Sequence, residues 1–126
     1  MRVAILTISD AGARGERDDT SGDAIEAWVE ARRADLAERC IVPDDSGAIV
    51  GKLTDWCDRG VADLLLTTGG TGLSARDVTP EATRAVLQRE APGIAERIRA
   101  VCMAGFPRAA LSRGLAGTRN NTLIIN

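Results

Sequence analysis

The chain contains no histidine, which excludes Ser/His and Cys/His catalysis and every His-ligated zinc site. Tyrosine is absent as well. Trp28, Trp56 and Phe106 are the whole aromatic set, too few for a base-stacking nucleic-acid platform. There is no dominant charge: 16 Lys+Arg stand against 18 Asp+Glu, a formal net charge of -2, so the positive surplus needed for non-specific polyanion binding is missing. Lysine is nearly absent. Lys52 is the only one, and the remaining basic residues are arginines. Genomic composition accounts for that bias; bidentate recognition of phosphate or carboxylate by a few arginines is the functional alternative. Cysteine is sparse, with Cys40, Cys57 and Cys102 widely separated and no CxxC. That pattern predicts buried thiols in a reducing, cytoplasmic compartment rather than a disulfide framework or a metal site. No signal peptide is expected, because Val3–Ile8 already reads as a strand.

What is present is an ordinary globular composition, 126 residues of which 44% are hydrophobic and 27% charged, enough for one domain. Arg2–Ser9 is an apolar, β-branched run, the mark of a strand buried on both faces. Asp10–Thr20 has no hydrophobic period and predicts a loop. Ser21 is a candidate cap for a helix carrying Ala24, Ala27, Trp28 and Ala31 at helical spacing. A second strand is expected within Ala37–Val42, ending at Pro43-Asp44-Asp45. Ser46 then caps a helix whose Ile49, Val50, Leu53, Trp56 and Cys57 form one apolar face, closed by Gly60. Ala62–Thr68 is the third strand. Thr79 caps a helix opened by Pro80 and running to about Glu90. Ile94, Ile98, Val101 and Cys102 supply a further stripe after Pro92-Gly93, and Thr122–Ile125 reads as a last strand. The order predicts an α/β domain, a mainly parallel sheet with helices on both faces.

Ligands of such sheets bind outside the carboxyl ends of the strands. Three loops start there: Asp10–Ser21, Pro43–Ser46 and Gly69–Thr79, all with carboxylates and small hydroxyl or glycine residues. Gly69-Gly70-Thr71-Gly72 is the sharpest feature. Its glycines permit positive φ, its amides can nest phosphate oxygens, and Thr71 adds a hydroxyl; a turn that merely needs glycine is the plain alternative. No Gly-Lys-Ser/Thr follows, so it is not a Walker loop. Asp77 lies a few residues on and would repel phosphate unless a cation such as Mg²⁺ intervened; Asp44 or Asp45 could supply a second carboxylate. Against this, Asp77 could simply pair with Arg76, and Asp19-Thr20-Ser21-Gly22 could be no more than a helix cap. Ser112-Arg113 offers a hydroxyl and a guanidinium toward an anion. Trp28 and Trp56 are expected in the core, and Lys52 in solvent.

In order along the chain stand ILTISD (5–10), DTSG (19–22), VPDD (42–45), LLLTTGGTG (64–72), RDVTPEAT (76–83), APG (91–93), LSR (111–113) and TLIIN (122–126). This set closely resembles the molybdenum-cofactor biosynthesis domain of molybdopterin adenylyltransferases, whose relatives include the gephyrin G domain. The resemblance implies a three-layer α/β/α domain assembling as a homotrimer. It implies Mg²⁺-dependent transfer of AMP from ATP to the phosphate of molybdopterin with release of pyrophosphate, the product passing on to the molybdenum insertase. By the same resemblance Asp44 and Asp77 are the catalytic, metal-organising aspartates, and Gly69, Gly70, Thr71 and Gly72 form the substrate loop. Ser9, Asp10, Asp19, Ser21 and Ser112 border the substrate pocket. Family members continue past the IIN strand into a Leu-Pro-Gly-x-Pro loop and closing helices. The 1–126 chain is accordingly expected to be one domain lacking its C-terminal portion. Two other functions remain open at this stage: a non-catalytic molybdopterin carrier or scaffold, and a nucleotide pyrophosphatase-like domain.

Overall fold

The computed structural model describes all residues, Met1–Asn126. The elements are β1 (Arg2–Ile8), α1 (Asp10–Ala13), α2 (Thr20–Ala31), β2 (Asp35–Val42), α3 (Ser46–Asp58), β3 (Leu64–Thr68), α4 (Thr79–Val86), β4 (Arg89–Glu90), α5 (Pro92–Met103), a 3₁₀ turn (Pro107–Leu111), β5 (Ala116–Arg119) and β6 (Thr122–Ile125). Six strands form one sheet in the order β2-β1-β3-β6-β5-β4. The β1–β2, β1–β3 and β3–β6 pairs are parallel, while β5 runs antiparallel to both its neighbours. This is the expected α/β architecture.

Alternate residues of β1 point to opposite faces, and both are sealed: Val3 through Ile8 are all buried. Ala4, Leu6 and Ile8 join Leu65 and Ile124 of the sheet, Ile49, Leu53, Trp56 and Cys57 of α3, and Ala82 and Val86 of α4 in a single core. Each fully buried Leu or Ile there contributes about 1.5–3 kcal/mol of burial. The second face is covered less evenly. α2 packs on β1 and β2, but between α2 and α5 runs a groove lined entirely by apolar side chains: Ala24, Ile25, Trp28, Leu64, Leu66, Ile98 and Ile125.

Several local expectations are corrected. The Asp10–Thr20 segment is not all loop, because Ser9 caps a short helix by accepting from the Gly12 amide. Helix α2 is capped by Asp19, not Ser21, and α3 by Asp45, not Ser46; a carboxylate one or two residues upstream wins the amide in both. Val78 is the residue before α4, and the Thr79 hydroxyl donates instead to the Gly69 carbonyl at 2.9 Å. That helix stops at Val86, since Arg89–Glu90 leaves it to pair with β5. The Ala24, Ala27 and Ala31 side of α2 is exposed, Trp28 is half-buried, and Gly22 and Val29 are the buried positions. Only Ala95 of α5 is buried; Ile98 borders the open apolar groove and stays part-exposed, while Val101 and Cys102 are exposed. Cys57 alone of the three free thiols is buried, and Lys52 lies 5.5 Å above the Trp56 ring rather than free in solvent.

Candidate functional site

Parallel register brings three strand ends to one edge. Ile8 pairs with Val42, and Thr7 with Thr68, so Ser9-Asp10, Pro43-Asp44 and Gly69-Gly70 leave the sheet side by side. The first two are interlocked. Asp10 N donates to Asp44 Oδ2 and Asp44 N donates to Asp10 Oδ1, both at 3.0 Å.

The third strand end carries the glycine loop. Gly69 and Gly70 have φ of +98° and +67°, values that favour glycine. Space is as restrictive as torsion: a Cβ on Gly69 would lie 2.1 Å from the Ile8 carbonyl oxygen. One on Gly70 would lie 2.3 Å from Thr79 Oγ1 and 3.1 Å from Asp44 Oδ1, and one on Gly72 2.7 Å from Asp77 Oδ2. Asp44 thus adjoins the first half of the loop and Asp77 the second. The amides of Gly70, Thr71 and Gly72 donate to no protein acceptor, which leaves three successive donors free for an anion.

Concavities flank this loop. A cavity of about 240 Å³ is lined by Thr7, Ser9, Ser21, Thr68 and Gly69 with Asp19 and Arg17. A wider one, about 580 Å³, is lined by Thr71, Gly72 and Ser112 together with Leu73, Phe106 and Leu111. All eleven residues singled out in the sequence therefore lie at this edge, although their tasks differ. Asp44 and Asp77 each commit one carboxylate oxygen, to the Asp10 and Ser74 amides; the other oxygen of each accepts nothing from the protein. That donor set fits a hard cation held by one or two carboxylates plus phosphate oxygens and water. Asp45, the alternative to Asp44, is used as a helix cap.

Asp10 is fully engaged: Arg76 grips it in a fork, with Nη2–Oδ2 at 2.8 Å and Nε–Oδ2 at 3.1 Å. The Arg76 guanidinium and the Asp44 amide hold the Asp10 carboxyl below the usual carboxylate range, against a smaller upward push from burial. So Arg76 pairs across the cleft and not with its neighbour Asp77. Asp19 is also engaged, by the Gly22 amide, the Thr7 hydroxyl and Arg39. Burial pushes its carboxyl up, and those three hydrogen bonds outweigh the push and lower it. Arg39 holds Asp19, Asp23 and Glu26 at once. Ser112 Oγ accepts from the Gly114 amide at 3.3 Å.

Sequence reasoning overlooked Thr7 and Thr68, hydroxyls at the ends of otherwise apolar strands, which was the available signal. It also overlooked Phe106 and Leu111, for which there was none.

Residues 4–126 match the family model described as "Probable molybdopterin binding domain". The molybdopterin adenylyltransferase of Helicobacter pylori strain J99 is 40% identical over 128 residues, covering 100% of this chain and 73% of that protein. The molybdenum cofactor synthesis protein cinnamon of Drosophila melanogaster is 42% identical over 97% of this chain, which is 20% of its own length. Among solved structures, the molybdopterin biosynthesis enzyme MoaB of Thermus thermophilus superposes with a TM-score of 0.92 at 52% identity, covering 99% of this chain and 79% of that one. With motifs, topology and relatives in agreement along its whole length, the chain belongs to the molybdopterin-binding domain family, as an enzyme of molybdenum-cofactor biosynthesis.

Proposed function

We propose that the chain is a molybdopterin adenylyltransferase that moves AMP from ATP to the phosphate of molybdopterin. The observation that carries this reading is the glycine loop with three unpartnered amides, flanked by two cavities and bordered by two half-free carboxylates. Two concavities meeting at one phosphate cradle suit a two-substrate transfer better than a carrier's single pocket. In the reaction a phosphate oxygen of molybdopterin bonds to the α-phosphorus of ATP, and the bond to the β-phosphate bridging oxygen breaks, releasing pyrophosphate. The nucleophile needs no base, since the second pKa of a phosphate monoester is about 6, and a histidine-free site can do this by alignment and charge neutralisation. Gly70, Thr71 and Gly72 amides bind and orient phosphate oxygens. Asp44 and Asp77 would hold Mg²⁺, which would neutralise phosphate charge. Ser9, Ser21 and Ser112 offer hydroxyls to the two substrates, while Asp10 and Asp19 shape the walls.

A homotrimer is part of the proposal. Val101, Met103, Phe106 and Leu111, all within residues 101–111, are large exposed apolar side chains, and apolar surface left open in the single chain supports association. No helix is long and apolar enough to cross a membrane; three free cysteines support a reducing, cytoplasmic setting, from which the adenylylated product passes to a molybdenum insertase. The apolar groove between α2 and α5 supports a further C-terminal portion packing on that face.

The test is production of adenylylated molybdopterin from ATP, Mg²⁺ and molybdopterin by the purified protein, with Asp77→Asn alongside. Losing that charge should cost on the order of 2–4 kcal/mol of transition-state stabilisation, as losing an oxyanion donor does, while the melt is nearly unchanged. Nucleoside monophosphate released without pterin would instead establish the hydrolase, and binding without transfer the carrier.

A further inference from the structure

The loop between β3 and α4 has no regular structure over residues 69–78, yet the proposed chemistry needs its amides and Asp77 in fixed places. Its centre is exposed, with Leu73 at 70%. Internal ties are few: Asp77 N to Ser74 O at 3.0 Å, Ser74 N to Asp77 Oδ2 at 2.9 Å, and Thr79 to the carbonyls of Gly69 and Gly70. The remaining ties are Arg76 N to Ser74 Oγ at 3.3 Å, the Arg76 fork on Asp10, and a set of three from one residue remote in sequence that acts on the 71–77 backbone itself. Arg113 Nε donates to the Gly72 carbonyl at 2.7 Å, and Nη2 donates to the Asp77 carbonyl at 2.8 Å. Its backbone N–H donates to the Thr71 carbonyl at 2.9 Å. The third branch, Nη1, pairs with Glu81 of α4.

We infer that Arg113 is a positioning residue for the transfer reaction, a staple that closes the exposed 72–77 span and thereby sets the glycine amides and Asp77 relative to one another. The planar fork of a guanidinium reaches two carbonyls and a carboxylate in fixed directions; an ammonium is a single point and cannot. All three side-chain nitrogens are engaged by the protein, so the guanidinium is held in place by the loop and α4 whether or not its two remaining N–H groups meet an anion. The staple also joins the loop to the approach to β5, so the wall of the wider cavity and the phosphate cradle are held as one piece. The inference rests on the proposed function for its kinetic consequence, but its structural half stands independently.

The experiment compares Arg113→Lys with Glu81→Gln in the full chain. Lysine keeps the charge and can still meet Glu81, whereas Glu81→Gln removes the ion pair and leaves both carbonyl bonds. Two readouts are taken: hydrogen exchange at the Ser74, Asp77 and Thr79 amides, and kcat and KM for ATP at saturating Mg²⁺. Arg113→Lys is expected to accelerate exchange at those amides and to lower kcat/KM about 10- to 100-fold, the scale of a displaced reacting group, with the cooperative melt retained. Glu81→Gln should leave both readouts near wild type. Wild-type exchange and kinetics in Arg113→Lys would overturn the inference, and so would a Glu81→Gln effect equal to that of Arg113→Lys. If wild type transfers no adenylyl group, the function is wrong, and accelerated exchange in Arg113→Lys would still establish the staple.

Discussion

Adding one methyl group to Gly70 tests the cradle most directly, and Gly15 supplies the control. Both glycines have left-handed φ, +67° and +71°. They differ in surroundings: a Cβ at Gly15 meets nothing within 4 Å, while one at Gly70 lies 2.3 Å from Thr79 Oγ1. Alanine in the left-handed region costs about 1–2 kcal/mol, offset by roughly 0.4–1 kcal/mol from restricting the unfolded chain. Gly15→Ala should therefore destabilise by about 1 kcal/mol. Gly70→Ala bears the same torsional cost and must also displace the Thr79 hydroxyl, which is fully buried and bonded to the Gly69 carbonyl. Leaving such a buried group unsatisfied costs about 1–3 kcal/mol more, for a total near 2–4 kcal/mol. Urea melts of the two variants measure the difference, and titration with ATP reports whether the cradle still binds. Equal destabilisation in both, within about 0.5 kcal/mol, would refute the crowding argument, because only torsion would then matter.

Stability should fall on acidification and stay flat near neutrality. The side-chain hydrogen bonds of Arg76, Arg59, Arg119, Arg2 and Arg113 hold Asp10, Asp55, Asp58, Asp63 and Glu81 respectively below their usual range; these groups stabilise the fold above their unfolded pKa of about 3.9–4.3 and cease to as pH drops through the lower folded values. With no histidine to titrate, a urea midpoint that shifts between pH 5 and 7 would contradict this. Phe106→Asp should convert a trimer to smaller species in sedimentation, since Phe106 is 58% exposed in the single chain and burying a Phe contributes about 1.5–3 kcal/mol; an unchanged sedimentation coefficient would remove it from the interface.

The four parallel strands were legible because a sheet buried on both faces leaves a clear apolar signature, as in Val3–Ile8; β4 lay where a helix to Glu90 was expected, and β5 in a mixed stretch, residues 106–121, with no readable period. Site position followed from the same reading, since strand ends locate the edge where ligands bind. Helix starts were misplaced at Ser21 and Ser46 because Asp19 and Asp45 are equally good caps nearby, and only the three-dimensional approach decides. The α5 stripe of Ile98 and Val101 showed a period but not a direction; nothing in a helical repeat says whether its apolar side meets a sheet or open solvent. Least legible were the arginines. Arg76, Arg39 and Arg113 find partners 66, 20 and 36 residues away, and no local pattern encodes a pairing across that separation.

The reciprocal bonds between Asp10 and Asp44 carry a consequence for how such a sequence can vary. Each carboxylate satisfies the other residue's backbone amide, so replacing either one by a residue without a side-chain acceptor strands a donor in the opposite loop, and at Asp10 it releases Arg76 as well. Asparagine keeps the accepting oxygen at either position, although at Asp10 it gives up the charge that holds Arg76. A substitution in one loop that removes the acceptor therefore meets its penalty in the other. Segments 34 residues apart in the chain are thus tied by two reciprocal hydrogen bonds, and the side chain in each limits what the other can become.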